Sequence, residues 1–283
     1  MSWTKDVLEP IIDDLSNGLG ELFGLKLTTV LESPSAFNAN AWGYVTDISG
    51  ALLETGAVVV LLILSVLEMH RIALVTDGDG ETRLRMIIFT LIKFGFMWAL
   101  FKQTPVVLDA IYQFGSTLAS GANSLVASGS WSPKAQDEFF KSVEKMDWLG
   151  QTVLVVLMLI AWLVNKGAVL GALALVVMRF IKLYIYGAFA PVSMALLTSE
   201  HTRSFGIGFL RNYASTVLQS FVLVLMFGLY ALLTESWAEK VNFNPAGGLA
   251  AAFTIGGMYI FLGILLVMLV MGSGKIASEL LGG

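Results

Sequence analysis

Four basic side chains flank a proline-containing apolar run in the second half of the sequence. Arg179 and Lys182 precede this run, and Arg203 and Arg211 follow it. Clustered guanidinium and ammonium groups bind phosphate in lipid headgroups, phosphate in a nucleic-acid backbone, or an acidic protein partner. The pattern therefore predicts a surface that contacts headgroups, a partner or a substrate. Headgroup contact, together with the usual positive charge of cytoplasmic loops, is the simpler explanation.

Four further polar residues lie inside apolar segments: Glu54, Lys93, Asn165 and Lys166. A charge placed in hydrocarbon costs at least about 2.5 kcal/mol, so such residues usually serve a purpose. One hypothesis is that they line a hydrated path or bridge subunits. The other is that they pair within the chain, or that the lysine stems extend to the membrane surface. The residues alone leave both open.

The sequence contains no pattern typical of catalysis or of cofactor binding. It has no cysteine, and its histidines, His70 and His201, lie far apart. No serine has the flanking glycines of a hydrolase nucleophile. The Gly-Lys pair at 274–275 lacks both the preceding glycine and the following Ser or Thr of a phosphate-binding loop. We therefore expect a protein that is not an enzyme and that holds neither a metal nor a cofactor.

Composition indicates an integral membrane protein. Hydrophobic residues make up 56% of the chain and charged residues only 13%, whereas soluble domains have about 25% charged residues. The apolar residues occur in blocks of about 20, which is the length of a membrane-crossing helix. The predicted fold class is an all-α membrane protein with about five transmembrane helices, at 48–69, 86–101, 148–177, 213–233 and 249–271. The third is long enough to tilt, kink or continue past the bilayer.

Residues 1–47 form an acidic N-terminal segment that precedes one polytopic domain, 48–283. Its apolar residues recur at helical spacing and predict an amphipathic helix that lies at the membrane interface. These residues are Leu8, Ile11, Ile12, Leu15, Leu19, Leu22 and Phe23. A long outer segment, 102–147, separates the second and third spans and is expected to lie along the surface or beside neighbouring chains.

The arginines predict the orientation of the spans. All of them fall in the connections after the first and third spans, which an alternating topology places on one side, and positive charge favours the cytoplasmic side. The N-terminus is then outside and the C-terminus cytoplasmic. Within the cytoplasmic segment 179–212, the run 183–197 lies between basic residues, so we expect it to re-enter the membrane with a break at Pro191. A sixth full crossing is the rival topology.

Helix packing has one small-residue signal in the third span. Gly167 and Gly171 are four residues apart, a spacing that lets two membrane helices approach closely. The pattern is consistent with a contact between subunits, although glycine is abundant enough in this chain for chance matches.

One region, 179–221, resembles a known family. It reads R-x-x-K-x-x-x-Y-x-A-x-A-P-V-x-M-A, then S-E-H-T-R-S-F-G-x-x-F-L-R-N-Y-A, then L-Q. This succession is similar to the TrbL-type polytopic subunit of type IV secretion and conjugation machines, especially versions from Gram-positive bacteria. The family's basic helix end maps to Arg179 and Lys182, and its proline turn to 190–192. Its glutamate maps to Glu200, and its Gly-x-x-Phe-Leu-Lys/Arg motif maps to 208–211, with Gly206, which has the full spacing, as the alternative match for the glycine.

The resemblance implies a channel or scaffold subunit in the cytoplasmic (inner) membrane that helps to move relaxase-bound single-stranded DNA, or a protein, across the envelope. It also implies a homo-oligomer, contacts with other membrane subunits and lipids, and energy supplied by separate ATPases. The alternative function is a secondary transporter or another small-solute permease. That class is expected to show paired broken helices in two related halves, and the sequence has one proline-containing candidate.

Overall fold

The computed structural model describes residues 3–16, 21–22, 25–26, 31–75, 80–125, 133–240 and 248–281. In these ranges the chain is helical apart from turns and one pair of two-residue antiparallel strands. The elements in chain order are α1 (Trp3–Ser16), β1 (Glu21–Leu22), β2 (Leu25–Lys26), α2 (Pro34–Phe37), α3 (Ala39–Ala51), a π-helical turn (Leu52–Gly56), α4 (Ala57–Val75), α5 (Gly80–Lys102), α6 (Thr104–Leu125), α7 (Pro133–Glu144), α8 (Trp148–Ala195), α9 (Arg203–Lys240) and α10 (Gly248–Leu280).

Five helical stretches in the described part of the chain are long and apolar enough to cross a membrane. They are Ala39–Ile72, Gly80–Lys102, Trp148–Ala195, Arg203–Tyr230 and Gly248–Leu280. The predicted all-α membrane fold is confirmed. The first stretch begins earlier than predicted because α3, the π-helical turn and α4 follow one another without a break in hydrogen bonding. The fourth also begins earlier, at Arg203.

The predicted break at Pro191 is wrong, because α8 continues through this proline to Ala195. A proline inside a helix removes one hydrogen bond and costs about 3 kcal/mol or more. Here the backbone around the ring is enclosed by protein, since Gly187, Ala190 and Met194 are all buried, and such packing holds the helix together. The chain reverses only afterwards, at 196–202, which we call the α8–α9 turn. How deeply 183–197 enters a membrane stays a prediction.

The helix α8 has 48 residues, or about 72 Å at ~1.5 Å per residue, which is more than twice a hydrocarbon core of ~30 Å. The chain divides into two compact units, and α8 contributes to both. The first unit is Met1–Leu31, Leu118–Met178 and Gln219–Ala277, and the second is Glu32–Thr117, Arg179–Leu218 and Ser278–Gly283.

The core of the first unit joins α1, α7, α8 and α10. Its buried residues are Leu8, Ile11, Ile12, Phe139, Val143, Met146, Leu154, Val155, Met158, Ala161, Ala252, Ile255 and Tyr259. The N-terminal helix is therefore amphipathic, as predicted, but its apolar residues Leu8, Ile11 and Ile12 face protein and are not free to enter lipid. Helical spacing identifies an apolar face without saying what covers it. The predicted apolar positions from Leu15 to Phe23 have no described side chains.

The second unit packs α4, α5, α6 and the neighbouring ends of α8 and α9. One buried cluster consists of Ala57, Leu61, Phe101 and Ala195. The Tyr213 hydroxyl of α9 donates a hydrogen bond to the Leu108 carbonyl of α6 at 3.3 Å. The first part of α6, which belongs to the predicted outer segment 102–147, thus packs within its own chain.

Close packing of α8 against α10 in the first unit depends on glycines of α10. A Cβ at Gly256 would meet the Leu157 side chain, and one at Gly263 would meet Val164 at 3.0 Å. The predicted pair in α8 behaves differently, because nothing lies within 4 Å of a Cβ built at Gly167 or Gly171. Its proposed role in packing must involve something other than the described residues of this chain.

We expect Gly256→Ala to lower the free energy of unfolding by about 1–3 kcal/mol, the usual cost of overpacking a tight contact. Gly257→Ala is the matched control, because nothing lies within 4 Å of its Cβ position and alanine favours helix. Thermal unfolding of both variants in the same detergent measures the difference. Equal melting temperatures would contradict the observed α8–α10 contact.

Candidate functional site

A charged cavity of about 530 Å³ lies in the second unit between α4, α5 and the α8–α9 turn. Its charged lining residues are Glu68 and Arg71 of α4, Arg85 and Lys93 of α5, and Glu200 of the turn. The remaining lining residues are Ile72, Met86, Phe89 and Thr90. Three basic and two acidic side chains therefore share one space with an apolar wall, which suits binding of a charged, partly apolar group.

An ion pair between Arg71 and Glu200 forms part of the lining of this cavity. Arg71 Nη1 donates to Glu200 Oε2 at 2.7 Å and lies 3.8 Å from Glu68 Oε1. Through this hydrogen bond and its positive charge, Arg71 lowers the pKa of the Glu200 carboxyl below its ordinary value. The contact joins residues 129 positions apart, so the end of α4 and the α8–α9 turn lie side by side.

Lys93 is half-buried in the same cavity. Among the described residues, no carboxylate lies within ion-pair distance (4 Å) of its ammonium group, although its charge contributes to lowering the pKa of Glu200. The sequence placed Lys93 near the middle of a span and left its partner open. The structure brings it to a charged cavity that it shares with α4 and the turn.

Arg179 does not belong to an exposed basic surface. It is only 1% exposed, and its Nε donates to the Thr216 carbonyl at 3.2 Å, with its guanidinium 5.1 Å from the Phe180 ring centre. The predicted contact with headgroups or a partner is therefore wrong for this residue. The prediction assumed that a span ended near 177, whereas α8 continues past Arg179 and buries it.

The other members of the predicted basic cluster, Lys182, Arg203 and Arg211, are exposed. Arg211 Nε donates to the Leu281 carbonyl at 2.8 Å, which ties the C-terminal end of α10 to α9. Arg203 and Arg211 lie eight residues apart on α9, or about 12 Å along the helix. Their contact with a partner stays a prediction, now without Arg179.

Lys166 pairs with the N-terminal helix of the first unit. Its Nζ lies 2.7 Å from Asp14 Oδ2, and Trp162 Nε1 donates to the same oxygen at 2.6 Å. This is the pairing within the chain that the sequence left open. Asn165, beside it, is buried, and its Oδ1 accepts no hydrogen bond from the described residues.

Glu54 lies in the π-helical turn and is exposed. Such turns are rare and are frequent at functional sites. No described residue of the chain pairs with Glu54 across a helix interface, so its role in a path or a subunit contact stays a prediction.

Sequence reasoning missed Glu68 as a site residue, identified Glu200 only as the glutamate of the family motif, and used Arg71 only to orient the spans. The local signal was the spacing of Glu68 and Arg71, one helical turn apart at the end of the first span.

Sequence reasoning also missed Tyr112 of α6, whose hydroxyl donates to the Glu32 carbonyl at 2.6 Å. Burial raises the pKa of Tyr112, while the charge of Arg179 opposes this shift.

The charged cavity combines charged groups with an apolar wall. In the described part of the chain, no group of three or more His, Asp or Glu side chains is placed to hold a metal ion. Of the charged residues of the cavity, Glu68, Arg71 and Glu200 form one ion-paired group, and Arg85 pairs with Glu81.

A comparison with protein families finds one match. The model of the family described as TrbL/VirB6 plasmid conjugal transfer protein matches residues 58–271. This match covers more than half of the chain and includes every residue of the charged cavity and the whole of 179–221. No individual curated protein matches the sequence.

We expect Glu200→Gln to lower the melting temperature at pH 7, because it removes a partner of Arg71. A carboxyl with a lowered pKa contributes stability above its unfolded value, 4.5, and loses that contribution as the pH falls through the folded value. The difference between wild type and Glu200→Gln should therefore shrink below pH 4.5. A difference that stays constant between pH 7 and pH 3 would contradict the ion pair as its cause.

Proposed function

The chain belongs to the TrbL/VirB6 plasmid conjugal transfer family, and we propose that it is a channel or scaffold subunit of a conjugative type IV secretion system. In this role it helps to move relaxase-bound single-stranded DNA, or a protein, across the cytoplasmic membrane. The family match carries the proposal, and it confirms the resemblance read from the motifs. Membership makes the chain a multi-pass membrane component of a transfer system.

The exposure of α4 and α5 supports a role in an assembly. In the most apolar window of each of the stretches Ala39–Ile72 and Gly80–Lys102, only 11% of the residues are buried. By contrast, the corresponding window of Arg203–Tyr230 is 61% buried. Two long apolar helices with so little cover in their own chain offer a large area to lipid and to neighbouring subunits. The open space at Gly167 and Gly171 supports a second contact of this kind in a homo-oligomer.

The Arg71–Glu200 ion pair supports the proposed topology. It brings together two connections, the one between α4 and α5 and the one between α8 and α9, which an alternating five-span topology places on the same side. Their arginines favour the cytoplasm. The N-terminus is then outside and the C-terminus is cytoplasmic.

The exposed Arg203 and Arg211 fit a contact with a cytoplasmic partner, such as a separate ATPase of the secretion system or a nucleoprotein substrate. Two exposed arginines about 12 Å apart along one helix present positive charge to an acidic surface. The chain itself is assigned no catalytic step, and energy for transfer comes from the ATPases.

The test is transfer frequency from a donor that carries an in-frame deletion of this gene. We expect deletion to abolish transfer and the wild-type copy to restore it. Arg203→Ala/Arg211→Ala should restore it incompletely, with a loss of about tenfold if the two contacts together contribute about 1.4 kcal/mol.

Lys141→Ala/Lys145→Ala is the matched control, because it removes the same charge from two exposed residues of the outer segment and should restore transfer fully. Membrane levels of each variant are measured by immunoblot. Unchanged transfer after deletion would contradict the secretion role and would favour the alternative function, a small-solute transporter. Full restoration by the arginine variant would contradict only the proposed partner contact of Arg203 and Arg211, and not the role in transfer.

A further inference from the structure

We infer that the charged cavity and the adjoining face of α5 bind one anionic phospholipid, with its phosphate at Lys93 and an acyl chain along α5. This inference concerns the cavity between α4, α5 and the α8–α9 turn, and it does not depend on the role in transfer.

Lys93 supplies a positive charge that no carboxylate of the described residues pairs with at ion-pair distance. Arg71 is engaged by Glu200 at 2.7 Å and lies near Glu68 at 3.8 Å, so these three groups largely satisfy one another. Lys93 lines the same cavity without a carboxylate within 4 Å among the described residues. A half-buried ammonium group without an anionic partner is costly in an apolar helix, and a phosphate oxygen would provide that partner.

Arg85 is available as a second cation. It pairs with Glu81 at 2.6 Å, but both side chains are more than two-thirds exposed, 77% and 73%. Exposed pairs of this kind contribute little to stability, so Arg85 can exchange Glu81 for a phosphate at low cost. It lies eight residues before Lys93, or about 12 Å along α5.

An apolar track leads away from this position. Phe89, Ile92 and Phe96 follow one another at spacings of three and four residues, which places them on one face of α5. They are 72%, 65% and 67% exposed, and Phe89 also lines the cavity. The headgroup site is therefore continuous with an uncovered apolar stripe, which matches the shape of a lipid with its phosphate in the cavity and its chain on the helix.

The same features disfavour a nucleic-acid strand as the occupant. A strand would bring several phosphates close to Glu68 and Glu200, whereas a lipid brings one. A strand would also leave the apolar wall of Ile72, Met86 and Phe89 without a matching surface. The cavity thus fits a single phosphate that is attached to a hydrocarbon chain.

The experiment is native mass spectrometry of the purified full-length protein, released from detergent after titration with phosphatidylglycerol or with phosphatidylcholine. We expect wild type to retain one phosphatidylglycerol in preference to phosphatidylcholine. Lys93→Gln should weaken this retention about tenfold, the change expected for one charged contact, and Lys93→Arg should keep it. Lys102→Gln is the matched control, because this lysine is exposed at the C-terminal end of α5, outside the cavity lining. This substitution should leave retention unchanged.

A separate variant tests the chain part of the site. Phe89→Ser/Phe96→Ser should lower retention of long-chain phosphatidylglycerol and leave a short-chain analogue unaffected. The melting temperature of each variant in phosphatidylcholine confirms that it is folded.

Three results would overturn the inference. The first is equal retention of phosphatidylglycerol by wild type and by Lys93→Gln. The second is displacement of the lipid by millimolar inorganic phosphate, which would make the cavity a site for free phosphate. The third is displacement by a single-stranded oligonucleotide, which would assign the cavity to the transferred strand. The experiment measures bound lipid and not DNA transfer. A negative result would therefore contradict lipid binding without contradicting the role in transfer, and a negative transfer experiment would not affect the lipid measurement.

Discussion

Several charges within or beside the apolar helices of this protein are ion-paired or hydrogen-bonded, and their partners come from segments distant in the sequence. Lys166 of α8 pairs with Asp14 of α1. Arg71 of α4 pairs with Glu200 of the α8–α9 turn, and Arg179 of α8 donates to a carbonyl of α9. The buried guanidinium of Arg179 would cost at least about 2.5 kcal/mol if it were left alone in hydrocarbon. The contacts join α1 to α8 in the first unit, and they join α4 to the α8–α9 turn and α8 to α9 in the second. Apolar packing fills the space around them.

Apolar surface has the opposite distribution. The helices α8, α9 and α10 bury a substantial share of their most apolar windows, while α4 and α5 bury little. This low burial leaves apolar surface on α4 and α5. That surface can contact lipid and, in the proposed homo-oligomer, neighbouring copies. The charged cavity lies between residues 68–72 of α4, residues 85–93 of α5 and the α8–α9 turn. A molecule bound in the cavity would therefore contact all three elements and affect how α4 and α5 are held against the turn.

Much of the fold followed from composition and block length, because a run of about 20 apolar residues has few stable alternatives to a membrane helix. The details that failed depend on packing. The sequence predicts a helix break at Pro191, but α8 continues through this proline, whose neighbours are buried. The sequence also predicts that a span ends near Arg179, but α8 continues past this residue and buries it. The apolar residues of α1 indicate a covered face, and only the tertiary structure shows that α7, α8 and α10 cover it. The site was least predictable, because Glu200 and Arg71 are far apart in sequence.

In the proposed topology, the end of α4 and the α8–α9 turn share the cytoplasmic side. The chain has no cysteine, so a single introduced cysteine can be labelled without background. The most direct measurement is labelling of His201→Cys, an exposed position next to the ion pair, with a membrane-impermeant maleimide, alongside Lys141→Cys in the outer segment. We expect position 201 to react in inverted vesicles and position 141 to react in right-side-out vesicles. Reaction of position 201 from outside, or of both positions from the same side, would contradict the proposed topology.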